Sequence, residues 1–251
     1  MKFVTLGTGA GTPSKTRKNS ASVLHTDHGD YVIDAGAPLT RSLIQSDIDL
    51  NNVRAVFITH MHEDHFGGLT SFLKDRMRDT LFSNPRWRGI RPEIWFPDAD
   101  AFQPFEDLMA IQYRGRNKDH IQFKLITPGR FFDDGFLQVT AIPNRHIPWL
   151  DGFLPSYCLQ MDAENTRIVC TGDLALDCSD FPVEAARNAA LCVSELTHFD
   201  PIERIRYFKQ IKPQKLVFNH VAASLAGKIP EFRKQVDYPV MVAEDGDEFS
   251  L

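Results

Sequence analysis

Residues 60–65 read His-Met-His-Glu-Asp-His, which puts three imidazoles and two carboxylates into six positions. An apolar run, "RAVFIT" (54–59), leads in, and Gly67 and Gly68 follow. Alternate residues of a strand face the same way, so His60 and His62 are expected to point together with Met61 turned into the core. Asp64 and His65 then fall on a turn into a helix beginning near Phe66 and face the other side of the same cavity. The two glycines allow close backbone approach. That pattern offers two ligands to one cation and two to a second. Imidazole and carboxylate donors suit zinc, manganese or iron(II), whereas magnesium or calcium sites are built mostly from oxygen. Two such cations about 3.5–4 Å apart share a water and lower its pKa from about 15.7 to about 7, giving a hydroxide able to attack phosphorus or a carbonyl carbon.

The elements that must aim these groups are legible as short apolar runs. Strands are expected at 2–7, 20–26, 31–36, 54–60, 92–97, 121–126, 136–142, 167–173, 190–196 and 215–220. Helix-like stretches fall at 37–47, 66–76, 98–112, 183–189 and 200–210. In the last of these, Asp200 is the expected N-cap, Pro201 the first helical residue, and Ile202, Ile205 and Phe208 recur at helical spacing. Strands come in blocks as well as in alternation with helices, which favours layered sheets with helices outside. Polar residues repeatedly close an apolar run: His60, His146, Asp173, Glu195 and His220. Neighbouring strands would bring these ends to one edge, where rigid scaffolds present functional side chains.

The sequence His60-x-His62-x-Asp64-His65, with the later order His146, Asp173, His220, resembles the metallo-β-lactamase superfamily. The resemblance spans nearly the whole chain. It implies an α/β fold, a four-layer αββα sandwich of two mixed sheets packed face to face with helices outside, forming one hydrolase domain over 1–251. It implies two divalent metal ions, zinc first, with manganese or iron as alternatives. His60, His62 and His146 then resemble ligands of one metal, and Asp64, His65 and His220 ligands of the other. Asp173 in "CTGD" resembles the bridging carboxylate, and Asp34 in "VIDAG" the buried aspartate that orients ligand histidines. Flavodiiron relatives carry Glu where this chain has His62, and β-lactamases of this fold generally lack a bridging aspartate at the position of Asp173.

The opening "LGTGAGTPSKTRKNSAS" (6–22) is similar to the ribonuclease Z-like branch, which cleaves phosphodiesters. A phosphodiesterase using a metal-bound hydroxide is therefore expected, with Asp64, Asp173, Glu195 and His198 as the catalytic set. His198, its tautomer fixed by Glu195, is the candidate proton donor to the leaving oxygen. A tRNA 3′-processing endonuclease is the nearest alternative. Against it, the chain shows no long glycine- and lysine-rich arm and no His-Ser-Thr segment between Glu195 and His220. A thioester or lactone hydrolase and a non-catalytic metal-binding protein are further alternatives.

Substrate contacts are less sharply marked. Trp149 and Phe153 in "IPWLDGFLP" (147–155) follow His146 directly and are too apolar for an ordinary solvated loop, which suggests a lid or a homodimer contact. Lys15 and Arg17, beside Ser14 and Lys18, could hold a phosphate. Residues 74–118 carry nine basic side chains interleaved with aromatics, a pattern that could bind RNA, but seven acids offset them to a net +2. The tight "RGRNK" (114–118) is the best remaining anion patch. His25, His28 and His120 lie in polar surroundings and are expected to take no part in catalysis.

In bulk, 251 residues with 43% hydrophobic content can bury a sizeable core. A net charge of -5 and a pI near 6.0 give no general attraction to nucleic acid or to an anionic membrane. No apolar run approaches the roughly 20 residues of a membrane span, and "MKFVTLGTGAG" does not read as a signal peptide. The four cysteines lack CxxC spacing, and a cytoplasmic protein with reduced thiols is expected. The partner expected is a small-molecule or nucleotide phosphodiester.

Overall fold

The computed structural model describes residues 1–81, 91–113 and 121–251. Within it the chain divides into two units, residues 1–7, 13–126 and 245–250 forming one and residues 8–12, 127–244 and 251 the other. The anion patch "RGRNK", His120, and the bases and aromatics at 82–90 lie outside the described residues.

The first unit holds strands β1 (Lys2–Gly7), β2 (Ala21–Thr26), β3 (Gly29–Ile33), β4 (Val53–Phe57), β5 (Glu93–Phe96) and β6 (Gln122–Leu125). The second holds β7 (Gly129–Asp133), β8 (Gln138–Pro143), the short ribbon β9 (Pro148–Trp149) and β10 (Gly152–Phe153), β11 (Tyr157–Ala163), β12 (Thr166–Cys170), β13 (Leu191–Leu196), β14 (Leu216–Val221) and β15 (Val240–Val242). The last strand, β16 (Glu248–Ser250), returns to the first unit beside β1. Each unit thus contains a seven-stranded mixed sheet, ordered β16-β1-β2-β3-β4-β5-β6 and β15-β14-β13-β12-β11-β8-β7.

Direction within each sheet decides what meets at its edge. Strands β3, β4 and β5 are mutually parallel, and β1, antiparallel to β2 as β3 is, runs with them. Strands β12, β13 and β14 are parallel, and β8, related to β12 through the antiparallel β11, runs the same way. Strand β6 is parallel to β5, and β15 to β14, so the carboxyl ends of five strands collect along one edge of each sheet, where open α/β sheets carry their ligand sites.

Helices cover one face of each sheet. In the first unit, α1 (Leu39–Gln45), α2 (Glu63–Phe66), α3 (Leu69–Leu81) and α4 (Phe102–Gln112) intervene between strands. Leu39 and Leu43 of α1, Leu69, Phe72 and Leu73 of α3, and Phe105 and Met109 of α4 recur three or four residues apart. That spacing makes one apolar face, and all seven pack with Val4, Val23, Val32, Val56 and Ile94 of the strands. The second unit has α5 (Val183–Ala186), α6 (Ile205–Phe208), α7 (Ala223–Ala226) and α8 (Ile229–Arg233). There Phe208 and Phe232 meet Phe218 of β14 with ring centroids 5.1–5.7 Å apart, edge-on or tilted arrangements that add to the burial term.

All ten expected strands form, five of them shorter at their carboxyl ends. The helix expected over 200–210 is largely a run of turns. Asp200 Oδ1 accepts the Ile202 N–H at 2.9 Å, but Arg204, at φ −103°, leaves helical geometry and only Ile205–Phe208 is α-helical. Asp200 also takes the Lys228 ammonium, and a short aspartate bonded to nearby backbone favours turns over helix. The four cysteines are free and buried, as expected for reduced thiols. Among the described residues no helix is long and apolar enough to cross a membrane.

Candidate metal centre

In the first unit the histidine cluster is not an extension of β4. The strand ends at Phe57, and residues 58–62 are irregular. His60 and His62 nevertheless converge, with His60 Nε2 and His62 Nδ1 3.0 Å apart, while Met61 packs partly buried against the core as expected. His60 is fully buried, and Asp64 and His65, on α2, are 8% and 1% exposed.

Asp34 organises this half. It directly follows β3, sits at φ 58°, and donates its own N–H to Phe57 O at 2.9 Å; aspartate is among the few side chains that tolerate this left-handed region. Its Oδ1 accepts the Thr59 N–H at 2.8 Å and the Thr59 hydroxyl at 2.9 Å, while Oδ2 accepts the His65 Nδ1–H at 2.8 Å. The Thr59 hydroxyl in turn lies 3.1 Å from His60 Nδ1. With Thr59's proton on Asp34, His60 must donate from Nδ1. One carboxylate therefore fixes the tautomer of His65 directly and of His60 through a hydroxyl, and both Nε2 lone pairs point away from it. Thr59 was not singled out from the sequence, although its position before the motif was the available signal.

Backbone contacts hold the motif in register. Ala35 N–H donates to His65 O at 2.6 Å, and Gly68 N–H to Ala35 O at 2.8 Å. A Cβ on Gly68 would stand 2.8 Å from the carbonyl oxygens of both Ala35 and Gly36, so only glycine admits this approach.

In the second unit, His146 follows β8, Asp173 follows β12, Glu195 lies in β13 and His220 in β14. Asp173 faces two imidazoles, its Oδ2 3.5 Å from His146 Nε2 and its Oδ1 3.5 Å from His220 Nδ1. Asp173, Glu195, His198 and His220 bring ligand atoms within 4.8 Å of one another. His146 donates Nδ1–H to Leu174 O at 3.2 Å, which turns Nε2 toward Asp173. Burial pulls the His146 imidazole below its usual pKa against the opposing pull of Asp173, favouring the neutral ring that a cation requires.

A β-bulge re-aims His220. Glu195 pairs with Asn219 but Leu196 with Val221, so His220 is the extra residue, at φ 48°. A histidine held there is costly unless its surroundings impose it. The Thr197 hydroxyl donates to His220 O, and Ala222 N–H to Leu196 O at 2.9 Å, which pins the bulge. Glu195 is 2% exposed; it accepts N–H bonds from Leu174 (2.5 Å), Thr197 (3.1 Å) and His198 (2.9 Å), and faces His198 Nδ1 at 2.8 Å.

Residues 1–195 match the family described as Anti-Pycsar protein Apyc1. The chain belongs to that family. Among curated relatives of this Apyc1-family chain is ribonuclease BN of Escherichia coli O1:K1, 28% identical over 151 residues, 58% of this chain and 46% of that protein. The chain therefore spans about half the length of the curated relatives it matches. The metallo-β-lactamase fold protein YhfI of Bacillus subtilis superposes with a TM-score of 0.79 at 18% identity, covering 99% of both chains. The short form of human tRNase Z gives 0.65 at 22% identity over 100% of this chain and 99% of that one, and unliganded yeast PDE1 gives 0.69 at 14% over 100% and 99%. The α/β metallo-β-lactamase fold and the ribonuclease Z-like likeness expected from the sequence are borne out.

The donor set of this family member fits a cation of the zinc, manganese or iron class. Ligands about 2.0–2.2 Å from a tetrahedral ion lie roughly 3.4 Å from each other. Asp173 meets His146 and His220 at 3.5 Å each, and His65 Nε2 lies 3.6 Å from Asp64 Oδ2. These spacings are longer than hydrogen bonds and suit donors that share an ion.

Candidate substrate contacts have a looser setting. Lys15 is exposed and Arg17 partly buried, on the connection from β1 to β2, which leaves the same sheet edge as Asp34. Ser14 Oγ accepts the Thr16 N–H at 3.2 Å, and Lys18 is tied down through its N–H to Asp245. The 147–155 segment is a two-stranded ribbon in which Trp149 pairs with Gly152, and Trp149 and Phe153 are 59% and 50% exposed. Of the histidines set aside, His25 is bound through Nδ1 to buried Asp30 at 2.6 Å.

Proposed function

We propose that the chain is a single-domain dinuclear metal hydrolase that cleaves phosphodiesters. The observation that carries this reading is the pose of Asp173. Its two oxygens face two different imidazoles at 3.5 Å each, the disposition of a carboxylate shared between two cations. His60, His62 and His146 would hold one ion, and Asp64, His65 and His220 the other, zinc first among the metals the donors suit. When bound, such ions supply water acidified to a pKa of about 7 and screen negative charge at the attacked centre.

The chain's own residues do the rest. Asp34 and Thr59 set the imidazole tautomers before any ion arrives. Asp173 would help orient the attacking oxygen. Glu195 holds the Nδ1–H of His198, so Nε2 is the nitrogen able to carry a proton to the leaving oxygen, a transfer worth about 10²–10⁴ in rate. His198 is partly exposed, as a group that must reach substrate has to be. Lys15 and Arg17 would engage the phosphate, and Trp149 and Phe153 would present an apolar wall for a base. The substrate is accordingly a small-molecule or nucleotide phosphodiester, with RNA a longer version of the same chemistry, and the setting is the cytoplasm. A homodimer through the 147–155 ribbon is compatible with this reading.

The test is metal analysis of the purified protein followed by turnover of bis-aryl phosphodiester, cyclic nucleotide, precursor-tRNA, thioester and lactone substrates. Two ions per chain and hydrolysis of the phosphodiesters are expected. Turnover confined to thioesters or lactones would overturn the phosphodiesterase reading. Turnover confined to precursor tRNA, weakening steeply with salt, would replace it with the tRNA 3′-processing endonuclease.

A further inference from the structure

We infer that Asp180 is a positioning residue that fixes His146 for its cation, an inference that rests on the dinuclear reading above. Asp180 lies outside every motif. Its carboxylate spans two loops: Oδ2 accepts the Arg145 N–H at 2.7 Å and the Ala175 N–H at 3.1 Å, and Oδ1 lies 3.2 Å from the same Ala175 N–H. Arg145 immediately precedes His146. Ala175 immediately follows Leu174, whose carbonyl takes the His146 Nδ1–H. The two anchored amides therefore flank the Nδ1–H contact with Leu174 O that favours this His146 tautomer.

This latch acts on one ligand and spares the others. Leu174 is held a second time, by its N–H on Glu195, so the Asp173 side of the join stays anchored when Asp180 is lost. On the His146 side, the Asn144 side chain accepts the His146 N–H at 3.2 Å, and the Arg145 guanidinium reaches across to donate to the Ser179 hydroxyl. Hydrogen bonds to a charged acceptor are stronger than neutral ones, and here two of them close a loop-to-loop gap. Without them Leu174 O and His146 Nδ1 drift apart. The ring is then free to carry its proton on Nε2, the nitrogen that must face the ion.

The experiment compares wild type, Asp180→Ala and Asp180→Asn. The first measurement is on metal-free protein: long-range ¹H–¹⁵N correlation of the histidine rings, which reads the tautomer of His146. The second is titration with zinc against a chromophoric chelator. Wild type should show His146 protonated on Nδ1 and two bound equivalents. In Asp180→Ala the ring should become a tautomer mixture, with one equivalent weakened about 10–100-fold and the other unchanged. Asp180→Asn should recover part of both, since an amide oxygen in the place of Oδ2 still accepts both N–H groups while its NH₂ opposes that of Ala175. A His146 signal and two affinities unaltered in Asp180→Ala would overturn the proposal. So would equal weakening of both equivalents with the tautomer intact, the mark of a merely structural residue. If Asp180→Ala does not fold, Asp180→Asn decides by the same readouts. Wild type failing to bind two equivalents would sink the dinuclear reading, while the metal-free tautomer measurement would still judge Asp180.

Discussion

Replacing Asp34 by Asn changes one heavy atom and tests the tautomer logic of the His60–His65 cluster. Asp34 is 4% exposed and accepts three hydrogen bonds at 2.8–2.9 Å, two from Thr59 and one from His65. An amide can accept on one side only. If its NH₂ faces Thr59, two buried donors oppose each other, at a cost of about 1–3 kcal/mol. If it faces His65, that ring must accept on Nδ1 and carry its proton on Nε2, the atom needed for an ion. Either orientation is unfavourable, and the second removes a ligand. Urea denaturation of the metal-free variant should show a loss within about 1–3 kcal/mol. Chelator-competed zinc titration should show affinity down about 10–100-fold, equivalent to roughly 1.4–2.8 kcal/mol. Wild-type stability together with wild-type affinity would refute the assignment of Asp34 as the group that orients His65 and, through Thr59, His60.

Other outcomes follow from the same geometry. His198→Ala should keep its metal content and lose about 10²–10⁴ in turnover on a substrate with a poor leaving group; undiminished turnover removes His198 from proton transfer. Gly68→Ala would set a methyl 2.8–2.9 Å from three backbone atoms, Ala35 O, Gly36 O and Leu39 N. None of the three is the end of a flexible side chain, so the urea midpoint should fall by the upper part of the about 1–3 kcal/mol range for overpacking. An unchanged midpoint contradicts the close approach. Burial pushes the Cys192 thiol up to about 12 and raises Cys158 and Cys178 as well, so native protein at pH 8 should resist thiol reagents that label it fully in urea. Because these folded-state values lie above the unfolded one of about 8.5, their contribution to stability is complete below that pH and declines as pH rises past it. Rapid native labelling at pH 8 would contradict this burial.

The parts whose signals are local were legible in the residues alone. Ten apolar runs became strands, all but β6 with buried side chains, and residues 60–65 announced a cation site by crowding donors more densely than any solvated surface needs. The tertiary structure decided what depends on partners distant in sequence. Strand β11 and the short β7, β9, β10, β15 and β16 were not legible, because segments so short or so mixed in polarity make sense only beside the strands they pair with. His60 and His62 converge in an irregular segment and not through strand alternation, since Asp34, on another connection, holds that segment through Thr59. The bulge that re-aims His220 is a mismatch of register between β13 and β14, a property of two strands together that neither carries alone. Asp180 gives no sign in its own neighbourhood because its work is done on amides 5 and 35 residues away. Residue types and short spacings report what a segment can do; only the folded chain fixes which of its groups share a proton, a hydrogen bond or an ion.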